Sequence, residues 1–102
     1  MTDGFDGYSR ASIVVPTFNR LADLRRVVAA VCEQIERFPG TCELVVVNDG
    51  SSDGTGEWLD AHAPELGFKA VHQDNAGPAR ARNRGVSESD GEVILFLGDD
   101  TV

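Results

Sequence analysis

Three aspartates, Asp49, Asp99 and Asp100, lie just after runs of apolar residues. Oxygen ligands without sulfur or imidazole suit Mg²⁺ or Mn²⁺, and Mg²⁺ typically takes one or two protein carboxylates and completes its shell with water and phosphate oxygens. If the three side chains converge, the sequence predicts a site for Mg²⁺ or Mn²⁺ bound to a diphosphate. The alternative is that Asp99 and Asp100 only form a solvated turn after a strand.

Such an acidic cluster needs a positive partner, because two charges about 5 Å apart repel by roughly 3 kcal/mol at an effective dielectric constant of about 20. A predicted helix beginning at Pro78 offers one, since a helix amino terminus carries unbonded amides and partial positive charge. On this helix Arg82 and Asn83 share a side with Ala79 and Val86, and we expect that side to face the sheet. Arg82 is then either a phosphate or ribose contact or the ion-pair partner of an aspartate.

The apolar patterns predict the elements that position these groups. Short β-branched or apolar runs predict strands, and a 3.6-residue apolar stripe after Asn19, which we expect to cap it, predicts the first helix. A turn-forming loop over residues 48–55 is expected to cap the second helix. The predicted order is β-α-β-α-β-α-β, with strands at residues 12–16, 44–47, 68–72 and 93–97 and helices after Asn19, around Trp58 and from Pro78.

Strands that alternate with helices and are apolar throughout indicate a mostly parallel sheet covered by helices on both faces. All strands of such a sheet end at one edge, so we expect the loops after residues 16, 47, 72 and 97, the third of which contains Asp74-Asn75, to meet there, where ligands of open α/β sheets bind. Phe18 lies in the first of these loops. Its ring either stacks on a nucleobase or packs into the core.

Composition excludes several other classes of protein. Seventeen acidic residues against nine basic ones give a net charge of −8, which disfavours nucleic-acid binding. No Gly-Lys pair provides a Walker loop, Gly54-Thr55-Gly56 lacks the third glycine of a dinucleotide fingerprint, and two cysteines make neither a disulfide framework nor a metal motif. Residues 50–54 fit G-x-S-x-G, but we interpret them as turn and capping residues. Without an apolar run of membrane-spanning length or a signal-peptide pattern, we expect a cytoplasmic protein.

The chain resembles the donor-binding half of family 2 glycosyltransferases, which have the GT-A fold. The resemblance rests on four motifs in the right order, which together cover nearly all of residues 12–102. They are Ser12-Ile13-Val14-Val15-Pro16-Thr17-Phe18-Asn19-Arg20, Leu44-Val45-Val46-Val47-Asn48-Asp49-Gly50-Ser51-Ser52-Asp53-Gly54-Thr55, Asn75-Ala76-Gly77-Pro78-Ala79-Arg80-Ala81-Arg82-Asn83-Arg84-Gly85 and Phe96-Leu97-Gly98-Asp99-Asp100.

The resemblance implies a nucleotide-diphospho-sugar donor, most often UDP-linked, and metal-dependent inverting transfer of the sugar to an acceptor hydroxyl. It places Asp49 on the base with Phe18 beside it, Asp99 on the ribose and Asp100, with Asp99, on the metal. Gly98 stands where many relatives have a further acid, which leaves fewer metal ligands. The donor-binding set implied by the resemblance is Thr17, Phe18, Asn19, Arg20, Asp49, Gly77, Arg82 and Asp99.

Residues 1–11 contain three Gly or Ser residues and no periodic pattern, so we expect them to be a flexible leader. The resemblance makes residues 12–102 a donor-binding half domain, truncated at the D-x-D region. The catalytic base and the surface for an acceptor carbohydrate or lipid-linked sugar lie outside it, so we expect no catalytic residue and no turnover in this piece. The whole protein could still be membrane-associated. An uncovered last strand also predicts self-association through the sheet edge.

Two other classes of protein compete with this interpretation. One is a non-catalytic α/β module that binds nucleotide or metal without transferring a sugar. The other is a receiver-type phosphoacceptor domain, which also gathers acids and Mg²⁺ at strand ends. A receiver domain expects an acidic pair after the first strand, where this chain has Thr17-Phe18-Asn19.

Overall fold

The computed structural model describes residues 10–99, in which four strands alternate with three helices. This is the predicted element order. The elements are β1 (Arg10–Thr17), α1 (Leu21–Ile35), β2 (Thr41–Asp49), α2 (Thr55–Leu66), β3 (Lys69–Gln73), α3 (Pro78–Ser87) and β4 (Val93–Phe96).

The strands form one parallel sheet in the order β3-β2-β1-β4. The first strand, β1, lies in the interior of the sheet; the chain then runs outward through β2 to β3 and crosses back to place β4 on the other side of β1. The strand order therefore reverses between β1 and β4, and this reversal is where open α/β sheets form their ligand crevice. The prediction of a parallel α/β sheet is confirmed.

Helices cover both faces of the sheet, as predicted. On one face Val15 and Val46 pack with apolar side chains of α1 and α2, including Leu24 and Leu59. On the other face Val14, Val45, Val47 and Val71 pack with Ala81 of α3. The apolar stripe of α1 buries Leu24, Val27, Val28 and Val31, which explains why this segment is helical and where it docks.

Three local predictions are wrong. The predicted leader, residues 1–11, extends too far, because Arg10 and Ala11 already belong to β1; residues 1–9 lie outside the described part of the chain. Asn19 does not cap α1: the helix begins after Arg20 without a side-chain cap of its own, and its first amide, that of Leu21, is bonded to Asp53 instead.

The third wrong prediction concerns the face of α3 that meets the sheet. The helix buries Ala81 and Gly85, whereas Arg82 is exposed. A Cβ built on Gly85 would lie 2.2 Å from Cγ1 of Val14, so the helix sits too close to the sheet for any side chain there. Close packing selects the smallest residues, not the apolar stripe used for the prediction, and it turns Arg82 toward solvent.

The outer edge of β4 has no strand beside it among residues 10–99. Its side chains point alternately to the two faces, and Leu95 and Phe96 are 53% and 51% exposed although both are large and apolar. An open, uncharged edge strand of this kind is a template for pairing with another chain. We propose that a second copy of the 102-residue chain covers this edge.

Replacing both Leu95 and Phe96 with lysine should abolish this self-association, because charged side chains on an edge strand oppose pairing. Sedimentation velocity of the 102-residue chain should show a concentration-dependent dimer that the double variant lacks. Leu66→Lys is the control, since Leu66 is another exposed apolar residue, at 44%, and lies at the end of α2. A wild-type chain that stays monomeric at all concentrations would contradict the proposal.

Candidate functional site

A cleft of about 460 Å³ opens at the carboxyl edge of the sheet, where the loops after β1, β2, β3 and β4 meet. Parallel pairing produces this convergence, because it places Thr17 beside Asn48 and Asp49 beside Gln73 at the same end. Six of the predicted site residues line the cleft: Thr17, Phe18, Arg20, Asp49, Gly77 and Asp99. The predicted convergence of the strand ends is therefore confirmed for Thr17, Phe18, Arg20, Asp49 and Asp99.

Three predicted site residues are not placed there. Asn19 belongs to the same loop as Phe18 but does not line the cleft, and the exposed side chain of Arg82 lies outside it as well. Asp100 falls outside the described residues. Arg82 was expected to be partly buried against the sheet, and the close contact of α3 through Gly85 explains why it is not.

Asp99 joins the end of β4 to the loop after β1. The hydroxyl of Thr17 donates a hydrogen bond of 2.9 Å to Oδ2 of Asp99, and Nε of Arg20 lies 3.8 Å from its Oδ1. Thr17 is buried, whereas the Arg20 side chain is half exposed. Asp99 therefore sits between a fixed hydroxyl and a movable guanidinium, which is the positive partner that the acidic cluster requires.

Arg20 is the only cation among the described residues that line the cleft. Its Nη1 also lies 3.4 Å from Asp23 in the first turn of α1. An arginine with half of its side chain in water can turn from these carboxylates toward an incoming anion, and its planar donors fit phosphate oxygens in pairs. The cleft thus has one flexible group that suits a diphosphate.

Phe18 does not pack into the core. Its side chain is 47% exposed and forms part of the cleft wall, so the core-packing alternative is wrong. An aromatic face on a cleft wall can stack on a nucleobase, an interaction worth about 1–3 kcal/mol per base.

Asp49 carries the densest hydrogen-bond network of the cleft. Its side chain is buried, and Oδ1 accepts hydrogen bonds from Nε2 of Gln73 (2.9 Å) and the amide of Ala76 (2.8 Å). Oδ2 accepts from the amide of Gly77 (3.0 Å) and, more weakly, from Nδ2 of Asn75 (3.3 Å). Four donors fill the lone-pair positions of a carboxylate.

The network also sets the charge of this group. Burial raises the pKa of the Asp49 carboxyl, but the hydrogen bonds from Gln73 and the amides of Ala76 and Gly77 outweigh burial and lower the pKa below its ordinary value. Asp49 is therefore ionised at neutral pH although it is buried. Its charge is stabilised by hydrogen-bond donors from residues 73–77.

This arrangement uses two backbone amides next to the start of α3, where the sequence predicts a phosphate site. The amides of Ala76 and Gly77, just before the first turn, already donate to Asp49, whose carboxylate supplies the negative charge that a helix amino terminus favours. A phosphate at the same amides would compete with a buried carboxylate.

Sequence reasoning missed two residues of this network, Gln73 and Asn75, as partners of Asp49. The parallel register pairs Asp49 with Gln73, so a strand alignment could have found the first. Asn75 reaches Asp49 because the loop after β2 turns at Gly50, with φ of 78°, where a Cβ would lie 2.7 Å from the Asn75 nitrogen. The spacing of the motifs along the sequence does not predict this close approach of Gly50 to Asn75.

The number of carboxylates available in the cleft limits how the expected Mg²⁺ or Mn²⁺ could be bound. Within residues 10–99 no three His, Cys, Asp or Glu side chains come together as a metal site. Asp99 places carboxylate oxygens in the cleft, and Asp49 has its oxygens bonded to the protein. One carboxylate fits a hard cation that takes most of its ligands from water and phosphate, but not a site built of protein ligands alone.

Comparison with known proteins decides the family. Residues 12–102 match the family model described as Glycosyl transferase family 2. The chain belongs to this family. Its structural neighbours are glycosyltransferases of the GT-A fold, as expected from the sequence motifs.

Individual glycosyltransferases are similar to most of this chain. The "PGL/p-HBAD biosynthesis glycosyltransferase" of Mycobacterium bovis is 38% identical over 91 residues, 87% of this chain and 34% of that protein. S. aureus TarS in complex with UDP superposes with a TM-score of 0.77 at 30% identity, covering 89% of this chain and 27% of TarS. The mannosyltransferase PcManGT of Pyrobaculum calidifontis, in complex with GDP-Man and Mn²⁺, gives 0.76 at 29% identity, covering 89% and 27%.

The chain thus spans about a third or less of the length of these glycosyltransferases. No helix in the described residues has the length and apolar character needed to cross a membrane.

Asp49→Asn should destabilise the chain by about 1–3 kcal/mol at pH 7, because an amide nitrogen would face backbone donors that now bond to a carboxylate. The folded-state pKa of Asp49 lies below its unfolded value, so its stabilisation is complete above about pH 4 and disappears as the pH falls through the folded pKa. Urea unfolding at several pH values should therefore show the wild type and the variant converging in acid. Asp74→Asn, at an exposed position, is the control. A constant difference between wild type and Asp49→Asn at all pH values would argue against this role of the charge.

Proposed function

We propose that the cleft binds a nucleotide-diphospho-sugar and that the whole protein transfers the sugar to an acceptor hydroxyl with inversion. The observation that carries the proposal is the convergence of an exposed aromatic ring, a half-exposed arginine and two aspartates in one cleft at the strand-order reversal: Phe18, Arg20, Asp49 and Asp99. The complexes of TarS with UDP and of PcManGT with GDP-Man support the ligand class. We propose UDP as the nucleotide, following the sequence resemblance.

In this proposal the base, the ribose and the diphosphate of the donor each contact different residues of the cleft. The base stacks on Phe18 next to Asp49, while Asp99 accepts from ribose hydroxyls and Arg20 turns toward the diphosphate. Thr17 holds Asp99 in place through its hydroxyl. Arg82 is not included among the contacts, because its side chain lies outside the cleft.

Asp49 can contact the base only by exchanging a partner. All four of its acceptor positions are used, and the bond from Asn75 is the longest, at 3.3 Å. Asn75 is exposed and also donates to the Asp49 carbonyl, at 3.0 Å, so its amide keeps a partner when the carboxylate bond breaks. We propose that a ring N–H of the base replaces Asn75 at this oxygen.

A divalent cation, Mg²⁺ or Mn²⁺, completes the proposed donor site, held by Asp99 and Asp100. When bound, the cation supplies Lewis-acid stabilisation of the charge that develops on the diphosphate leaving group. The complex of PcManGT with GDP-Man and Mn²⁺ supports this assignment. Around such a site Arg20 adds a second positive charge, and Thr17 fixes the orientation of the Asp99 carboxylate.

In this proposal, sugar transfer also requires a catalytic base and an acceptor-binding surface, which the residues of this chain do not supply. The sequence resemblance implies that the carboxylate base and the acceptor surface come from a later part of the domain, and this chain spans about a third or less of the compared relatives. We therefore propose that the 102-residue chain binds the donor but gives no sugar transfer.

Isothermal titration of the chain with UDP and with GDP, each with and without Mn²⁺, tests the proposal. We expect UDP to bind more tightly than GDP and Mn²⁺ to increase the affinity. Phe18→Ala should weaken UDP binding about 5- to 150-fold, the equivalent of one lost stacking contact. Asp100→Ala should remove the effect of Mn²⁺.

The matched control is Asp90→Ala, which removes an exposed carboxylate at the opposite end of the sheet and should leave the titrations unchanged. No binding of either nucleotide under any condition would refute the proposed function. Binding with an unaltered Mn²⁺ effect in Asp100→Ala would remove Asp100 from the metal site.

A further inference from the structure

The loop after β1 has an unusual backbone at the residue between two cleft residues. Phe18 and Arg20 line the cleft, and Asn19 between them does not. Asn19 has φ of 53°, in the left-handed region, and it is the one residue other than glycine with positive φ in the described chain. Asparagine tolerates this conformation better than most residues, but it still needs support from its surroundings.

The support comes from the loop after β2, more than 30 residues away. The Asn19 amide donates a hydrogen bond of 2.9 Å to the hydroxyl of Ser51, and the Ser52 amide donates one of 2.7 Å to the side-chain oxygen of Asn19. The two bonds run in opposite directions between the loops. Together they fix both the backbone and the side chain of Asn19.

Asp53 adds a third bond across the same gap. Its Oδ2 accepts from the Leu21 amide at 3.1 Å, and its Oδ1 accepts from the amide of Thr55 at 3.2 Å and from the Thr55 hydroxyl. One side chain thus satisfies an amide in the first turn of α1 and an amide in the first turn of α2, since both would otherwise lack a helical partner. The start of α1 is thereby tied to the start of α2.

Ser51 is itself anchored to the sheet. Its amide donates to Oδ1 of Asn48 at 3.0 Å, and Nδ2 of Asn48, which is buried, lies 3.2 Å from Nδ1 of His72. Nε2 of His72 lies 2.8 Å from Asp60 of α2. These contacts fit a histidine that donates from Nε2 and accepts at Nδ1, and they fix which way the Asn48 amide points.

We propose that Asn19, Ser51 and Asp53 form a clasp that positions Phe18 and Arg20 for the nucleotide donor, an inference that rests on the proposed function. Asn19 and Ser51 are positioning residues: they act through the two cleft residues and do not contact the ligand. The clasp orders the exposed loop before the ligand arrives, so binding does not have to order it. Asn19, which the sequence placed among the donor contacts, acts here from outside the cleft.

Amide hydrogen exchange, measured by NMR on the chain without ligand, tests the clasp by itself. In the wild type the Asn19 and Leu21 amides should be protected from exchange. Ser51→Ala removes the acceptor of the Asn19 amide and should speed its exchange at least about tenfold, whereas Ser51→Thr keeps a hydroxyl and should preserve protection. Equal exchange of Asn19 in wild type and Ser51→Ala would overturn the clasp.

UDP titration at 25 °C, with a thermal melt of each variant, tests the positioning role. We expect Ser51→Ala and Asn19→Gly to weaken binding about 5- to 150-fold, the cost of ordering two side chains on binding, while every variant remains folded. Asn19→Gly keeps the left-handed backbone and loses the side-chain bond. Ser51→Thr should retain wild-type affinity, and Ser87→Ala, an exposed serine of α3, is the control.

The two measurements separate the possible failures. Unchanged UDP affinity in both Ser51→Ala and Asn19→Gly would overturn the positioning role, even with the clasp present. A wild type that binds no nucleotide would refute the proposed function, and the exchange of Asn19 would still decide whether the clasp exists.

Discussion

The cleft depends on one buried charge, the carboxylate of Asp49. A buried carboxylate is costly unless donors surround it, and here side-chain and backbone donors from residues 73–77 supply four hydrogen bonds. These bonds hold the end of β2 against the segment that begins α3. The positions of Asp49, Asn75 and Gly77, which line the cleft, are therefore fixed relative to each other before any ligand binds.

The loop after β1, on the other side of the cleft, is held by the segment that contains Asp49. Residues 48–53 hold the loop after β1 through Ser51, Ser52 and Asp53, and hold residues 75–77 through Asp49. Asp99 then joins the end of β4 to β1 through Thr17. In this chain the loop after β2 therefore bonds to both sides of the proposed donor site. In the segment of residues 48–53, Asp49 lines the cleft, whereas Ser51, Ser52 and Asp53 support the residues that line it.

The sequence was sufficient to predict the order of elements and the edge of the sheet where the site lies. Pro78 marked the start of α3 correctly, and the apolar runs marked every strand, because buried parallel strands and helix starts leave local signals. The convergence of Thr17, Asp49 and Asp99 followed from the parallel topology. These features need only local patterns and one rule of chain geometry.

The wrong predictions involve contacts between distant segments. The face of α3 depends on how near the helix lies to Val14, and a hydropathy pattern contains no such distance. The start of α1 takes its acceptor from Asp53, 32 residues further along the chain, so the local capping rule pointed to Asn19 instead. Saturation of Asp49 also depends on donors that only the folded chain brings together.

The most direct measurement of the central claim is an NMR titration of the backbone amides of Ala76 and Gly77 with pH. The structure predicts that both amide protons shift together with one midpoint, below the ordinary aspartate pKa of about 3.9, and that neither shifts in Asp49→Asn. Amide shifts that do not change below about pH 3.9, or whose midpoint lies at or above the ordinary aspartate pKa, would contradict the claim that the charge of Asp49 holds the cleft together.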